Sequence, residues 1–344
     1  MTSQSRSHRL RNMLLIILGV ILIAAGFVVS RAWATLDAVA NGGGTTEPIA
    51  GRYNIALLGS DSADWRDDAR IDSITVASVD AVTGRTLLIS TSRSLTAFPF
   101  PATSPLHQLY PDGYVCPDQE RQPCMLTTIY QLGLDHADLY PGSADPGAEA
   151  MVDAIEGITG LTMNYYALID MDGFEGLIDA LGGIDITVNQ RVPIGAVGIT
   201  DYWIEPGSHH FSGPEALWYV RSRIDTDDAA RTIRQRCVML AMLNQVDPGT
   251  IASHFFDLMN AASDVAQSNV PISAVAGLAD LAAKATRWTV TTMTISPTAS
   301  PTGQESYTFI TAEVAAAVAA AEARDDGASS PADLTQDLTT ICGY

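Results

Sequence analysis

Lysine is almost missing. One residue, Lys284, stands against eighteen arginines, and these nineteen cations face 39 aspartates and glutamates, for a formal net charge of -20. Such a chain lacks the broad basic surface that neutralising a nucleic-acid backbone requires, so no nucleic-acid partner is expected. A nucleotide-binding glycine loop, a G-x-S-x-G nucleophile turn and an H-E-x-x-H zinc pair are all absent. Loop-bound nucleotide chemistry, serine hydrolysis of that type and zinc proteolysis go with them. No internal repeat is visible. The adjacent pair His209-His210 would diverge on any regular element, which makes it a poor catalytic couple.

Cysteine is scarce but even in number, with four residues. In an exported chain that suggests two disulfides, with three possible pairings. Cys116 and Cys124 enclose CPDQERQPC, so a local staple on a loop is the simplest assignment, and by elimination Cys237 would join Cys342. Neither pair has a zinc-finger spacing, and no structural metal is expected.

Export is indicated by Met13–Val29, an uncharged apolar run of seventeen residues at the short end of what spans a bilayer. Arg6, Arg9 and Arg11 precede it and would hold the N-terminus in the cytoplasm. A cleaved signal peptide ending at Ala32-Trp33-Ala34 is the competing reading, but the run exceeds the usual length of such a segment. The expected organisation is a cytoplasmic tail over 1–12, a single-pass anchor in the cell membrane over 13–30 and a linker containing NGGGTTEP over 31–52. An extracytoplasmic domain over 53–321 and a polar tail over 322–344 would follow.

Within the domain, YNIALLG (Tyr53–Gly59), IDSITVASV (Ile71–Val79) and RTLLIS (Arg85–Ser90) read as three short strands separated by turn signals. Asp61 follows the first and Asp72 opens the second. If those strands are antiparallel neighbours, both carboxylates lie at one edge of the sheet, the arrangement from which Mg²⁺ takes one or two carboxylates and completes its shell with water and phosphate. An ordinary acidic surface loop is the plainer alternative. Arg93, after the third strand, belongs at the same edge. Phe98–Pro123 reads as an elaborated loop or lid. Helices are expected over 125–134, 148–158 and 173–181, and strands over 161–170 and 184–188. Most of 248–285 reads as helical, followed by a strand over 288–295 and a helix over 312–323. Gln190–Pro206 carries no clear pattern. The recurring strand-helix-strand order argues for an α/β domain with helices packed on a central sheet.

Against the prevailing negative charge, Tyr219–Arg236 (YVRSRIDTDDAARTIRQR) gathers five arginines. Arginine's planar fork of donors matches phosphate oxygens and keeps its charge. From Asp228 the stretch reads as a helix, with Ile233, Cys237 and Leu240 on one side and Asp228, Arg231 and Gln235 on another. Arg221 and Arg223 stand two apart, so an extended exit would aim both in one direction. The plainer reading is a solvated helix whose arginines pair with Asp225, Asp227 and Asp228.

These stretches resemble the LytR-CpsA-Psr family of membrane-anchored cell-wall glycopolymer transferases. The resemblance runs over about 53–321 through NIALLGSD with ARIDSITVASVD, LLISTSR, NYYALIDMDGFEGLIDALGGIDI, and HFSGPEALWYVRSR with DDAARTIRQR. It implies a three-layer α/β/α fold with a central mixed sheet and a deep pocket for a polyprenyl chain. It also implies a Mg²⁺ or Mn²⁺ ion on Asp61 and Asp72, and pyrophosphate contacts from Arg70, Arg93, Arg221, Arg223 and Arg231, accompanied by Asp228 and Gln235. The implied reaction passes a polyprenyl-pyrophosphate-linked glycopolymer to a peptidoglycan hydroxyl, with Asp72, Arg93, Arg221 and Asp228 as the catalytic set and Asp72 or Asp228 taking the proton. A pyrophosphatase and a non-catalytic module binding the same lipid are the alternatives. One departure stands out: where the family commonly reads S-I-P-R-D-T, this chain has Ser92-Arg93-Ser94, and the acid that could hold the arginine is gone.

Overall fold

The computed structural model describes residues 47–61, 70–116, 124–194, 202–222, 228–245, 266–285, 288, 290–295, 303–323 and 342. Six strands make its central sheet: β1 (Arg52–Ser60), β2 (Ile71–Asp80), β3 (Thr86–Thr91), β4 (Tyr165–Ile169), β9 (Ala266–Ser268) and β10 (Thr291–Ile295). Their order across the sheet is β10-β3-β2-β1-β4-β9. β1 and β3 flank β2 antiparallel, whereas β4 lies parallel to β1 and β10 parallel to β3, so the sheet is mixed. The three early strands therefore form as the alternating β-branched runs predict. β9 and the hairpin of β6 (Val192–Ile194) with β7 (Tyr202–Ile204) are each three residues long, too short to leave a period. The sequence accordingly reads as helical at the first and unpatterned at the second, and the structure corrects both.

Each face of the sheet carries its own core. On one side Ile74, Val76, Leu87 and Ile89 pack with α2 (Pro146–Thr159) and α7 (Gly303–Ala323). α2 has its start written into it: Asp145 caps the helix by accepting from the Ala148 N–H at 3.0 Å, with Pro146 at the first position. Phe98, Phe100 and Tyr114 are buried in this same core with their rings against one another, so the expected lid is, over its described part, a wall of the domain. A further helix here, α1 (Ile129–Asp135), packs closely on α2.

On the opposite side Ile55, Ala77, Val79 and Leu88 pack with α3 (Met171–Ala180), α4 (Gly213–Arg221), α5 (Asp228–Gln245) and α6 (Ile272–Ala285). The pair β5 (Ile184–Val188) and β8 (Gly207–Phe211) joins that layer. Helix layers thus cover both faces of a mixed sheet. His209 and His210 diverge along β8 as expected, His210 bonding Asp185 at 2.7 Å and His209 the Glu205 carbonyl.

Both disulfides form as assigned, Cys116–Cys124 and Cys237–Cys342, the second with its Cα atoms 5.4 Å apart. Among the described residues no helix is long and apolar enough to cross a membrane; the run Met13–Val29 lies outside them.

Candidate functional site

A β-bulge creates the site. Gly59 pairs with Ser73 but its neighbour Ser60 pairs with Ile71, so one step along β1 is matched by two along β2, and Asp72 is the extra residue. Ile71 and Ile74 keep to the same core, which only the inserted residue permits. Gly59 is suited to this close approach, since a Cβ there would sit 2.9 Å from the Cβ of Ser73.

Asp72 gathers partners from three other parts of the chain. Arg93, just beyond β3, donates to Oδ1 through Nη1. The Thr127 hydroxyl donates to the same oxygen at 3.2 Å. From α5, Arg231 reaches Oδ2 with Nη1 at 3.5 Å, and it is only 3% exposed. A carboxylate is therefore clamped between two guanidinium groups. Ser94 bonds the Ser92 hydroxyl, and Arg93 is held by Asp72 and through its carbonyl by the Thr127 N–H.

Asp61 directly follows β1, its N–H donating to the Arg70 carbonyl at 2.9 Å, so Asp61 and Asp72 stand at the same end of the β1–β2 pair, as the antiparallel pairing requires. Asp61 is buried, which suits a carboxylate that meets a cation, and Arg70 stands exposed beside it. Two carboxylates at one edge fit Mg²⁺ or Mn²⁺, ions that fill the rest of their shell with water and phosphate oxygens. Among the described residues no group of three or more His, Cys, Asp or Glu gathers as a larger metal cluster.

Arg221 ends α4, the helix that Gly213-Pro214-Glu215 opens, and the backbone turns extended at Ser222. Ser212 and Glu215 start this helix, the Glu215 carboxylate accepting from the Ser212 N–H at 2.9 Å and from its hydroxyl at 2.7 Å. The Arg221 guanidinium lies 5.7 Å from the Trp218 ring centre, and among the described residues it makes no ion pair. Burial raises the pKa of Glu175, and Arg221 is the cation that opposes the rise. Arg223 lies outside the described residues, and Gln235 is half-buried on α5, which begins at Asp228.

One residue outside the set expected from the sequence braces the end of α4 beside Arg221. Arg234 donates through Nε to the Tyr219 carbonyl at 2.9 Å and through Nη2 to that of Ser222. It closes the C-terminal end of α4, where unpaired carbonyls otherwise remain. Its place three residues beyond Arg231 is a visible signal, whereas Thr127 offers none.

The LytR_cpsA_psr family model matches residues 41–324. Cell wall biosynthesis protein LcpA of Corynebacterium glutamicum is 33% identical over 122 residues, 35% of this chain and 23% of the relative. Polyisoprenyl-teichoic acid–peptidoglycan teichoic acid transferase TagU of Enterococcus faecalis is 28% identical over 217 residues, 62% of this chain and 59% of the relative. The chain thus spans less than two-thirds of either curated relative. The crystal structure of protein gbs0355 from Streptococcus agalactiae superposes with a TM-score of 0.56 at 21% identity, covering 77% of this chain and 89% of that one, a likeness of fold.

Proposed function

The chain belongs to the LytR_cpsA_psr family, and on that footing we propose that it moves a glycopolymer from a polyprenyl-pyrophosphate carrier onto a peptidoglycan hydroxyl. The observation that carries this reading is the carboxylate of Asp72 held between Arg93 and Arg231 at a sheet edge, with Arg221 left without an ion pair among the described residues. Guanidinium groups fixed in this way bind the two phosphates and neutralise charge as it develops on the leaving group. The name of TagU, with a polyisoprenyl-linked donor and a peptidoglycan acceptor, supports the same substrate classes.

In the proposed reaction the acceptor oxygen attacks the phosphorus that carries the glycan. The bond from that phosphorus to the bridging oxygen breaks, and polyprenyl phosphate leaves with the electron pair. Arg93 and Arg231 hold the pyrophosphate in line, and Arg221 closes on it from the end of α4. Asp61 and Asp72 would hold Mg²⁺ or Mn²⁺, which supplies further neutralisation of the phosphate oxygens. With Arg93 and Thr127 on its Oδ1, and Arg231 together with the divalent ion on its Oδ2, Asp72 is a poor base in this scheme, and the acceptor's proton is assigned to Asp228 at the start of α5. The apolar run Met13–Val29 would anchor the domain at the outer face of the cell membrane, where a lipid-linked donor resides.

Product analysis tests this. With a short polyprenyl-pyrophosphate oligosaccharide and peptidoglycan fragments, the chain releases polyprenyl phosphate and leaves the phosphoglycan bonded to the acceptor. Equal release without acceptor, yielding only free phosphoglycan, would make it a pyrophosphatase instead.

A further inference from the structure

Among the described residues, Arg236 is a buried cation with no acid to balance it. It is 4% exposed, yet its Nε and Nη1 have no hydrogen-bond partner, and only Nη2 is used, donating to the Thr294 hydroxyl on β10. Other buried arginines have their partners: Arg52 has Glu322 and Ser78, Arg231 has Asp72, and Arg234 has two carbonyls. Burial alone acts on the Arg236 guanidinium, lowering its pKa, and no described acid opposes it in a chain of net charge -20. Burying an unpaired charge is costly, and a solitary buried donor fork marks a missing counter-ion.

The place is polar beyond the guanidinium itself. Thr294 pairs in register with Ser90, and Ser90 with Thr75, whose hydroxyl lies 3.4 Å from that of Ser90. Three hydroxyls thus cross three adjacent strands on one face of the sheet. Arg236 stands five residues along α5 from Arg231, which is about 7.5 Å of helix and about 140 degrees of rotation. The two side chains go to different strands, Arg231 to Asp72 on β2 and Arg236 to Thr294 on β10.

We infer that Arg236, with the Thr294 hydroxyl, forms a second anion site that takes an oxyanion of the phosphate class. The site is distinct from the group gripped at Asp72 and Arg231, and it stands whether or not the transferase reading holds, because it concerns binding alone. The oxyanion comes either from free phosphate or from a phosphodiester of a phosphate-containing polymer.

The test uses the full-length chain in detergent, with labelled inorganic phosphate in equilibrium dialysis and melting curves with and without phosphate. Wild type is expected to bind one phosphate more than Arg236→Met, whatever the occupancy of the Asp72–Arg231 site. In phosphate-free buffer Arg236→Met is expected to melt at or above wild type, since an apolar side chain replaces an unbalanced charge. Phosphate should then raise the melting point of wild type more than that of the variant. Competition with a glycerol phosphodiester separates the sources: displacement of the second phosphate points to the polymer and persistence to the free ion, and both uphold the site. Two results overturn it: a phosphate stoichiometry that is the same in wild type and Arg236→Met, or a variant that melts several degrees lower without phosphate, which would mean the guanidinium is satisfied by the protein itself.

Discussion

Asp72 and Arg231 are 159 residues apart in the chain, and the Nη1 of Arg231 meets the Oδ2 of Asp72 at 3.5 Å across the interface between the sheet and α5. The contact joins a bulged strand to the arginine helix and sets where a pyrophosphate can be held. Replacing Asp72 by Asn leaves Arg231 as a buried charge without this carboxylate. A loss of about 3 kcal/mol or more in unfolding free energy is expected, with turnover at least about a hundredfold lower. Urea titration of the single variant beside Asp72→Asn/Arg231→Met checks the cause: the double variant regains stability and stays inactive.

Arg234 acts at one remove, by closing the end of α4 through two backbone carbonyls. Arg234→Met should cost about 2–4 kcal/mol and raise KM about tenfold, because Arg221 loses its fixed base. Arg234→Lys should recover part of the stability and little of the KM, as one ammonium does not reproduce the fork. Equal kinetics for Lys and wild type would remove the positioning role.

The sheet edge is legible in the sequence because its signals are local. Alternating apolar runs mark β1, β2 and β3, and antiparallel pairing of neighbours puts Asp61, Asp72 and Arg93 at a common edge. The face shared by Asp228, Arg231 and Gln235 likewise follows from helical spacing. What the sequence hides depends on tertiary context. The bulge at Asp72 is a matter of register between two strands, and Thr127 arrives from a segment with no motif. Arg236 is one of the clustered arginines, but its burial against β10 is set by packing that no periodicity reports. The Phe98–Tyr114 rings look like part of a lid in the sequence, because proline and aromatic richness alone does not distinguish a loop over a site from a wall of the core.

Helix α2 carries an unusual acid response. Burial raises the carboxyl pKa values of Asp145, Glu149, Asp153 and Glu156, with Asp153 accepting from Ser104 and Tyr140 at 2.6 and 2.7 Å. A carboxyl with a raised folded-state pKa takes up protons more readily when folded. Its stabilising contribution is complete below the unfolded value, about pH 4, and is lost as pH rises through the folded value. Asp80 and Glu215 pull the other way: Thr83 and Val82 hydrogen bonds outweigh burial at Asp80, and Ser212 bonds lower Glu215. With Asp170 and Glu175 also raised by burial, six described carboxyls stand against two, and the melting temperature should be higher at pH 5 than at pH 7. Asp153→Asn should narrow the difference, and a melting point that falls steadily from pH 7 to pH 5 would contradict the assignment.

The two disulfides constrain loops of very different size, with sequence separations of 105 and 8. By chain entropy they are worth about 5 and about 2.5 kcal/mol respectively. Cys237→Ala/Cys342→Ala should therefore lower stability about twice as much as Cys116→Ala/Cys124→Ala, as measured by chemical denaturation. Equal losses would show that the longer bridge adds little constraint.

Turnover of a short polyprenyl-pyrophosphate oligosaccharide, with Mg²⁺ and peptidoglycan fragments, tests the central claim most directly when wild type is compared with Asp72→Ala and Arg221→Ala. The account predicts that wild type releases polyprenyl phosphate while both variants bind poorly and fail to turn over, although Arg221→Ala keeps the wild-type melting temperature. A wild-type protein that holds the lipid tightly and never releases polyprenyl phosphate would contradict it and leave a module that only binds the precursor.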